Sequence, residues 1–518
     1  SRGLGDVYKR QGSTTISNGT LQIGSGGTSG TLGTGAVVDN AALVFNRSDA
    51  VSIANDISGS GTLTQMGAGA LSLTGVNSYA AINNQSAIAT LVNYKGGAGG
   101  SLAYSGALPS NYFVYVTSAT QYGQLDVSSS SGAMTFSLAS GSSLATGAYA
   151  NVVTGVASSA IASTRSGVLN GYMWQLVQDT ASALNWNLIV TNSTIGPNSR
   201  VFTSQLVDNV DMTLNGGAVV VDKSGVFNNN FALSASPSNG IEAPGGATAT
   251  FSGVLTDATS NGSITVSGPQ TTVLTGANTY SGQTTIVSGA LQVGSGGASG
   301  SLGSGDVVND ASLIFNRSDD VTVANGISGS GGVTQAGAGT TVLTGANSYS
   351  GATTISSGTL QIGAGGSSGT LGTGAVVNNG TLTLNSSVAT SIANDVSGSG
   401  SLTQMGAGTT VLTGANSYSG VTTINSGTLQ VGSGGTSGAL GTGAVVDNGT
   451  LAFNRSDVAA IANSISGSGA LTQAGAGTTV LTGANNYSGA TTINGGTLQV
   501  GSGGTSGSLG TGAVVNNG

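Results

Sequence analysis

A right-handed parallel β-helix is the fold this sequence predicts. Three observations predict it. The first is a repeat of 69 residues: GANTYSG at 276–282 returns as GANSYSG at 345–351 and 414–420 and as GANNYSG at 483–489, so Tyr280, Tyr349, Tyr418 and Tyr487 are evenly spaced. A fixed period without insertions marks units that bury their apolar faces against their neighbours. The second is strict alternation over short runs: Leu360 and Ile362 in TLQIG, Leu382 and Leu384 in TLTLN, and Leu71 and Leu73 in ALSLT share one face of a strand. The third is the lack of any helical period that could cover an ordinary parallel sheet.

Taken in order, residues 1–11 (SRGLGDVYKRQ) have no counterpart in any other copy and read as foreign sequence joined to the repeats. Residues 12–80 form a first repeat ending in GVNSY. The stretch 81–199 loses the period and holds seven of the 13 tyrosines and both tryptophans, which predicts an inserted or capping β module. Residues 200–270 read as degenerate β-helix, and 271–518 as clear repeats that stop in mid-unit. Between the strands lie GSGG, GTG, NNG, SGSG and GAG, all turn sequences. A unit of 69 residues with roughly seven strands predicts about three coils, an axial advance of about 14 Å at the usual strand spacing.

Composition narrows the function. Charged residues make up 5% of the chain and glycine supplies 91 of 518 residues, unlike an ordinary globular domain. Ten basic residues against 18 acidic ones give a net charge of −8, with no basic cluster of the kind a nucleic-acid surface needs. No run is long and apolar enough for a membrane-spanning helix. The absence of histidine excludes a Ser-His-Asp triad and imidazole metal ligands, and the absence of cysteine excludes disulfides and thiolate sites. We expect no catalytic, cofactor-binding or metal-binding residues, hence no cofactor and no enzyme.

Four local features are candidates for more than packing. Asn55, Asn325, Asn394 and Asn463 share one phase of the repeat and read as turn-forming or capped asparagines rather than internal amide contacts. RSDA at 47–50, RSDD at 317–320 and RSDV at 455–458 read as a solvated turn with an internal ion pair, rather than a calcium site. The glycine-rich GSGGTSG at 24–30 lacks the lysine and following helix of a phosphate loop. The aromatics of 81–199 read as core, with a sugar-binding platform as the alternative.

The run TTVLTGANSYSGATTISSGTLQIG at 340–363, echoed at 271–294, 409–432 and 478–501, resembles the passenger-associated β-strand repeat of bacterial autotransporters. Copies of it and their surroundings cover about 60% of the chain, by the repeat boundaries above. The resemblance implies a passenger on the bacterial cell surface, outer-membrane-anchored or extracellular, exported through a C-terminal outer-membrane β-barrel that belongs to the parent protein and lies outside this chain. It implies a structural stalk or adhesin whose partners are a host or neighbouring-cell surface or its glycans. A carbohydrate-binding module at 81–199 on such a stalk is the alternative, and a polysaccharide-acting enzyme a more distant one. The open coil row at residue 518 and the sparse charge predict self-association, to be seen by analytical ultracentrifugation at concentrations on the order of 10⁻⁵ M.

Overall fold

The computed structural model describes residues 12–85, 88–162, 165–206 and 210–518; the expected foreign segment 1–11 lies outside them. The chain divides into two compact units, Ser1–Thr194 and Ile195–Gly518. Each is a parallel β-solenoid. Among the described residues there is no α-helix, only three single 3₁₀ turns.

In the second unit the chain winds around three faces. Thr353–Ile355 pairs in parallel with Val376–Asn378, which pairs with Val396–Ser397. On the next face Thr359–Ile362 pairs with Thr381–Leu384, and that with Ser401–Gln404. On the third, Thr390–Ile392 pairs with Thr409–Leu412. Partners in these ladders lie 20–23 residues apart in sequence.

The repeat does not close on a whole number of coils. Between Thr340–Leu343 and its copy at Thr409–Leu412 the chain visits eight strand positions, counting from the first of these. It also visits two positions without a strand, around Asn347 and around Thr370. Ten positions on three faces make three coils and a third. The TTVL strands at 271–274, 340–343, 409–412 and 478–481 accordingly belong to four different sheets. The strands number eight rather than the expected seven, and the expected three coils fall short because the two strandless positions still occupy space on the solenoid.

The inner face of each strand is aliphatic, and Leu360, Leu382, Leu402, Leu429, Leu451 and Leu471 have no solvent exposure. The strandless positions are held differently. Asn347 accepts a hydrogen bond at Oδ1 from the Ile327 amide in the preceding coil, 2.9 Å, and its Nδ2 donates to the Thr370 carbonyl in the following coil, 2.7 Å. Asn416 and Asn485 repeat this bridge. Two residues on, Tyr349 is fully buried and its hydroxyl lies 2.8 Å from Thr353 Oγ1. Gly372 rests on that ring so closely that a Cβ would stand 2.4 Å from Tyr349 Cδ2. Gly441 and Gly510 meet Tyr418 and Tyr487 in the same way, so the glycine of GTG is required by the tyrosine of the preceding coil.

In the first unit one parallel ladder runs Thr20–Ile23, Ala42–Phe45, Thr62–Gln65, Ala81–Asn84, Leu102–Ala107 and Leu125–Ser131. It passes residue 81 without a break. The repeat sequence therefore ends at about 80 while the solenoid continues on other side chains. Asn84 and Asn93 donate to the hydroxyls of Tyr104 and Tyr112 inside it. The ladder then meets Gly147–Thr154, which pairs antiparallel with Trp186–Asn192, and this strand with Tyr172–Gln178.

Replacing the bridge tests the account of the strandless positions. Asn347→Ala leaves the Ile327 N–H and the Thr370 C=O without partners. We expect a local stability loss of about 2 kcal/mol, read as faster hydrogen exchange at the Ile327 amide. Ser367→Ala in the exposed loop should change stability by less than about 0.5 kcal/mol.

Candidate functional site

The positions singled out in the sequence are structural for the most part. Asn394 is buried, and its Nδ2 donates to the carbonyls of Gly372 and Gly374 in the preceding coil at 2.8 and 2.6 Å. Asn325, Asn463 and Asn55 do the same. The expectation of a turn asparagine is corrected: the amide joins coils, because the GTG loop in front of it has carbonyls that no strand satisfies.

The arginines also do more than a solvated turn requires. Arg317 pairs with Asp319 at 2.7 Å, yet its side chain is only 13% exposed. Its guanidinium donates to the carbonyls of Gly300 and Ala298 and so pins the glycine-rich loop of the preceding coil. Arg47 binds Gly30 and Thr28 likewise, and Arg455 binds Gly438. Hydrogen bonds from the arginines hold Asp49, Asp319 and Asp457 below the usual carboxylate range. In the third copy Ser386 replaces the arginine and reaches the Gly366 and Val388 carbonyls.

The aromatics of 81–199 pack inward. Tyr104, Tyr112, Tyr122, Phe136, Tyr149, Trp174 and Trp186 are buried, and none of the aromatic side chains described there is exposed. Phe136 packs against both Tyr112 and Trp174, and the Trp186 indole N–H donates to the Val156 carbonyl. Among the described residues no three acidic side chains converge as a metal-binding group.

What the sequence did not announce is a set of equivalent grooves. One of about 410 Å³ lies between loop 369–373 and strand Thr390–Ile392, over Ile362, Leu371 and Leu384. A second of about 410 Å³ is lined by Val293, Leu302, Phe315 and residues 321–325, and a third of about 370 Å³ by Val431, Leu440 and residues 458–463. They recur with the repeat, each a third of a turn further round the second unit.

Six stretches, 11–23, 63–81, 264–293, 333–362, 402–431 and 471–500, match the passenger-associated-transport-repeat family. Each of the last four spans the bridging asparagine, the buried tyrosine and the strands on either side of them. Over 87 residues, 17% of this chain, the sequence is 44% identical to the Adhesin BmaC autotransporter of Brucella suis biovar 1 (strain 1330). The chain carries the repeats of an autotransporter passenger. The aligned part spans only about 2% of that adhesin's own length. No solved structure matches the chain. The groove walls at 369–374 and 384–394 fall outside the matched stretches.

Within the repeats one buried site departs from its copies. Asn309 and Asn378 each donate a hydrogen bond across to the following coil, to the Gly332 and Ser401 carbonyls. Asp447 and Asp39 stand at the same place, have no solvent exposure, and each has an Oδ2 without a partner. Burial raises both carboxyls, Asp447 to about 6. The folded state therefore binds the Asp447 proton more tightly than the unfolded chain does. Stability is greatest below the unfolded value of about 4 and falls as pH rises toward 6, by on the order of 2 kcal/mol. Asp447→Asn should remove this dependence and stabilise the coil at pH 7.5, read as slower hydrogen exchange across 445–470; equal exchange in both proteins at pH 7.5 would refute it.

Proposed function

We propose that the chain serves as the rigid, non-catalytic stalk of a surface-displayed adhesin. The observation that carries this reading is that the four passenger-associated-transport repeats between 264 and 500 fold within the second unit as a parallel solenoid, supported by the similarity to an autotransporter adhesin. The structural chemistry agrees with it. Buried aliphatic ladders and inter-coil amide bridges stiffen the solenoid, and the arginines at recurrent sites pin glycine-rich loops while pairing with their aspartates.

In this reading the parent protein carries the outer-membrane β-barrel through which the chain is exported. A chain with no cysteine can cross the periplasm unfolded without forming disulfides. The partners are surfaces of neighbouring or host cells, and self-association between copies contributes to contact. Seven of the eleven aromatics in 81–199 are buried in the packed interior, which favours the stalk reading over the carbohydrate-binding one.

Surface display tests the proposal. The chain is placed between a secretory signal peptide and an outer-membrane β-barrel in a non-adherent bacterium. We expect whole-cell antibody labelling, removal of the label by external protease, and faster settling or surface attachment than with the barrel alone. Labelled cells that settle and attach like the barrel control would overturn the adhesive part of the reading.

A further inference from the structure

Each groove interrupts a strand ladder. Thr390–Ile392 pairs along one edge with Thr409–Leu412 and is the first strand of its sheet; Val321–Val323 and Val458–Ile461 are likewise first in theirs. In a parallel ladder alternate residues direct N–H and C=O to opposite edges. Thr413 donates to the Ile392 carbonyl, as Thr344 does to Val323 and Thr482 to Ile461. The backbone of Ile392 and Thr390 is thus turned to the following coil, and that of Ser391 to the groove. By the same register the groove-facing residues are Thr322 and Ala460. None of these three makes a backbone hydrogen bond to the preceding coil. Val51–Ile53 in the first unit, paired only with Leu71–Ser78, places Ser52 in the same situation.

Open edges are normally guarded by lysine, proline or a covering segment. Here the edge residues are Ser, Thr and Ala, with no proline or lysine in the strands. The grooves beside 321–325 and 390–394 have no charged residue in their walls. The one beside 458–463 has Arg455, which is already paired with Asp457 at 2.6 Å. The floors are aliphatic or aromatic. A backbone edge that offers a donor and an acceptor at strand pitch, over an apolar uncharged floor, is complementary to one thing above others: another backbone in extended conformation.

We propose that these open ladder edges dock an extended polypeptide segment with small, uncharged side chains, which adds to each sheet as an extra strand. Grooves of about 370–410 Å³ suit a segment as short as the strand on the opposite edge. Each site is therefore weak alone and gains from repetition. The inference does not depend on where the chain is displayed.

The test is titration of the whole chain with a fluorescent, acetylated and amidated TTVLT peptide, beside the same peptide N-methylated at alternate residues. Two sets of variants accompany it. Ser52→Pro, Thr322→Pro, Ser391→Pro and Ala460→Pro together remove the groove-facing N–H groups, which the ladder does not use. Thr34→Trp, Ser304→Trp, Thr373→Trp and Thr442→Trp fill the grooves from the loop side and spare the strands. Circular dichroism confirms the fold in each. We expect saturable binding to the parent chain and a loss of at least about tenfold with either variant set and with the N-methylated peptide. Equal binding to the parent and the tryptophan set, or no peptide binding alongside binding of a neutral oligosaccharide, would overturn the proposal.

Discussion

Backbone hydrogen bonding has to pass through the two positions of each repeat that lack a strand, or each face of the solenoid would come apart there. The asparagine and tyrosine of the GANSYSG loop are what carry it through. Asn347 ties the Ile327 amide to the Thr370 carbonyl across two coil boundaries. Tyr349 fills the interior that a strand's aliphatic side chains would otherwise fill, and Gly372 admits it. The remaining carbonyls of the GTG loop are collected by Asn394 and those of the glycine-rich loop by an arginine where one is present. Three residue types, asparagine, tyrosine and arginine, therefore do by side chain what the strands do by main chain. This explains why they recur with the period while the exposed loop residues drift.

The offset of a third of a turn sets what stacks on what. A strand's neighbours are never its own copies: Thr359–Ile362 lies between Thr340–Leu343 and Thr381–Leu384. Pairing identical segments in register is the geometry of a steric zipper, and this winding avoids it within the chain. A slip by one coil would set TTVL against TLTL and part Asn347 from the Ile327 amide and the Thr370 carbonyl of the neighbouring coils. Register is thereby specified by polar side chains as well as by the apolar pattern.

Much of this was legible in the sequence. The alternation of Leu360 with Gln361 and of Leu382 with Thr383 named the inward face, and the even spacing of the tyrosines named the repeat. What escaped was the coil count, because Asn347 and Thr370 sit in stretches with no strand signal and yet take up a place on a face. The grooves escaped with it, since they exist only where a strandless loop faces a first strand. From the sequence Asn394 reads as a local turn residue because its acceptors, Gly372 and Gly374, lie 22 and 20 residues away; no local pattern reports such a bond. In 81–154 the repeat motif vanishes while the ladder persists. Tertiary stacking there is satisfied by Asn84 with Tyr104 and Asn93 with Tyr112, pairs that no period marks.

The winding also bears on how such a chain changes between generations. Copies this similar are substrates for unequal recombination, which inserts or deletes whole units. Each unit gained would push whatever follows it outward by about 16 Å at the usual strand spacing and swing it round by a third of a revolution. Length and aim would then vary together, and only gains in threes would restore the original aim. A lineage could thus re-point the far end of its passenger without altering a single residue there, simply by miscounting repeats.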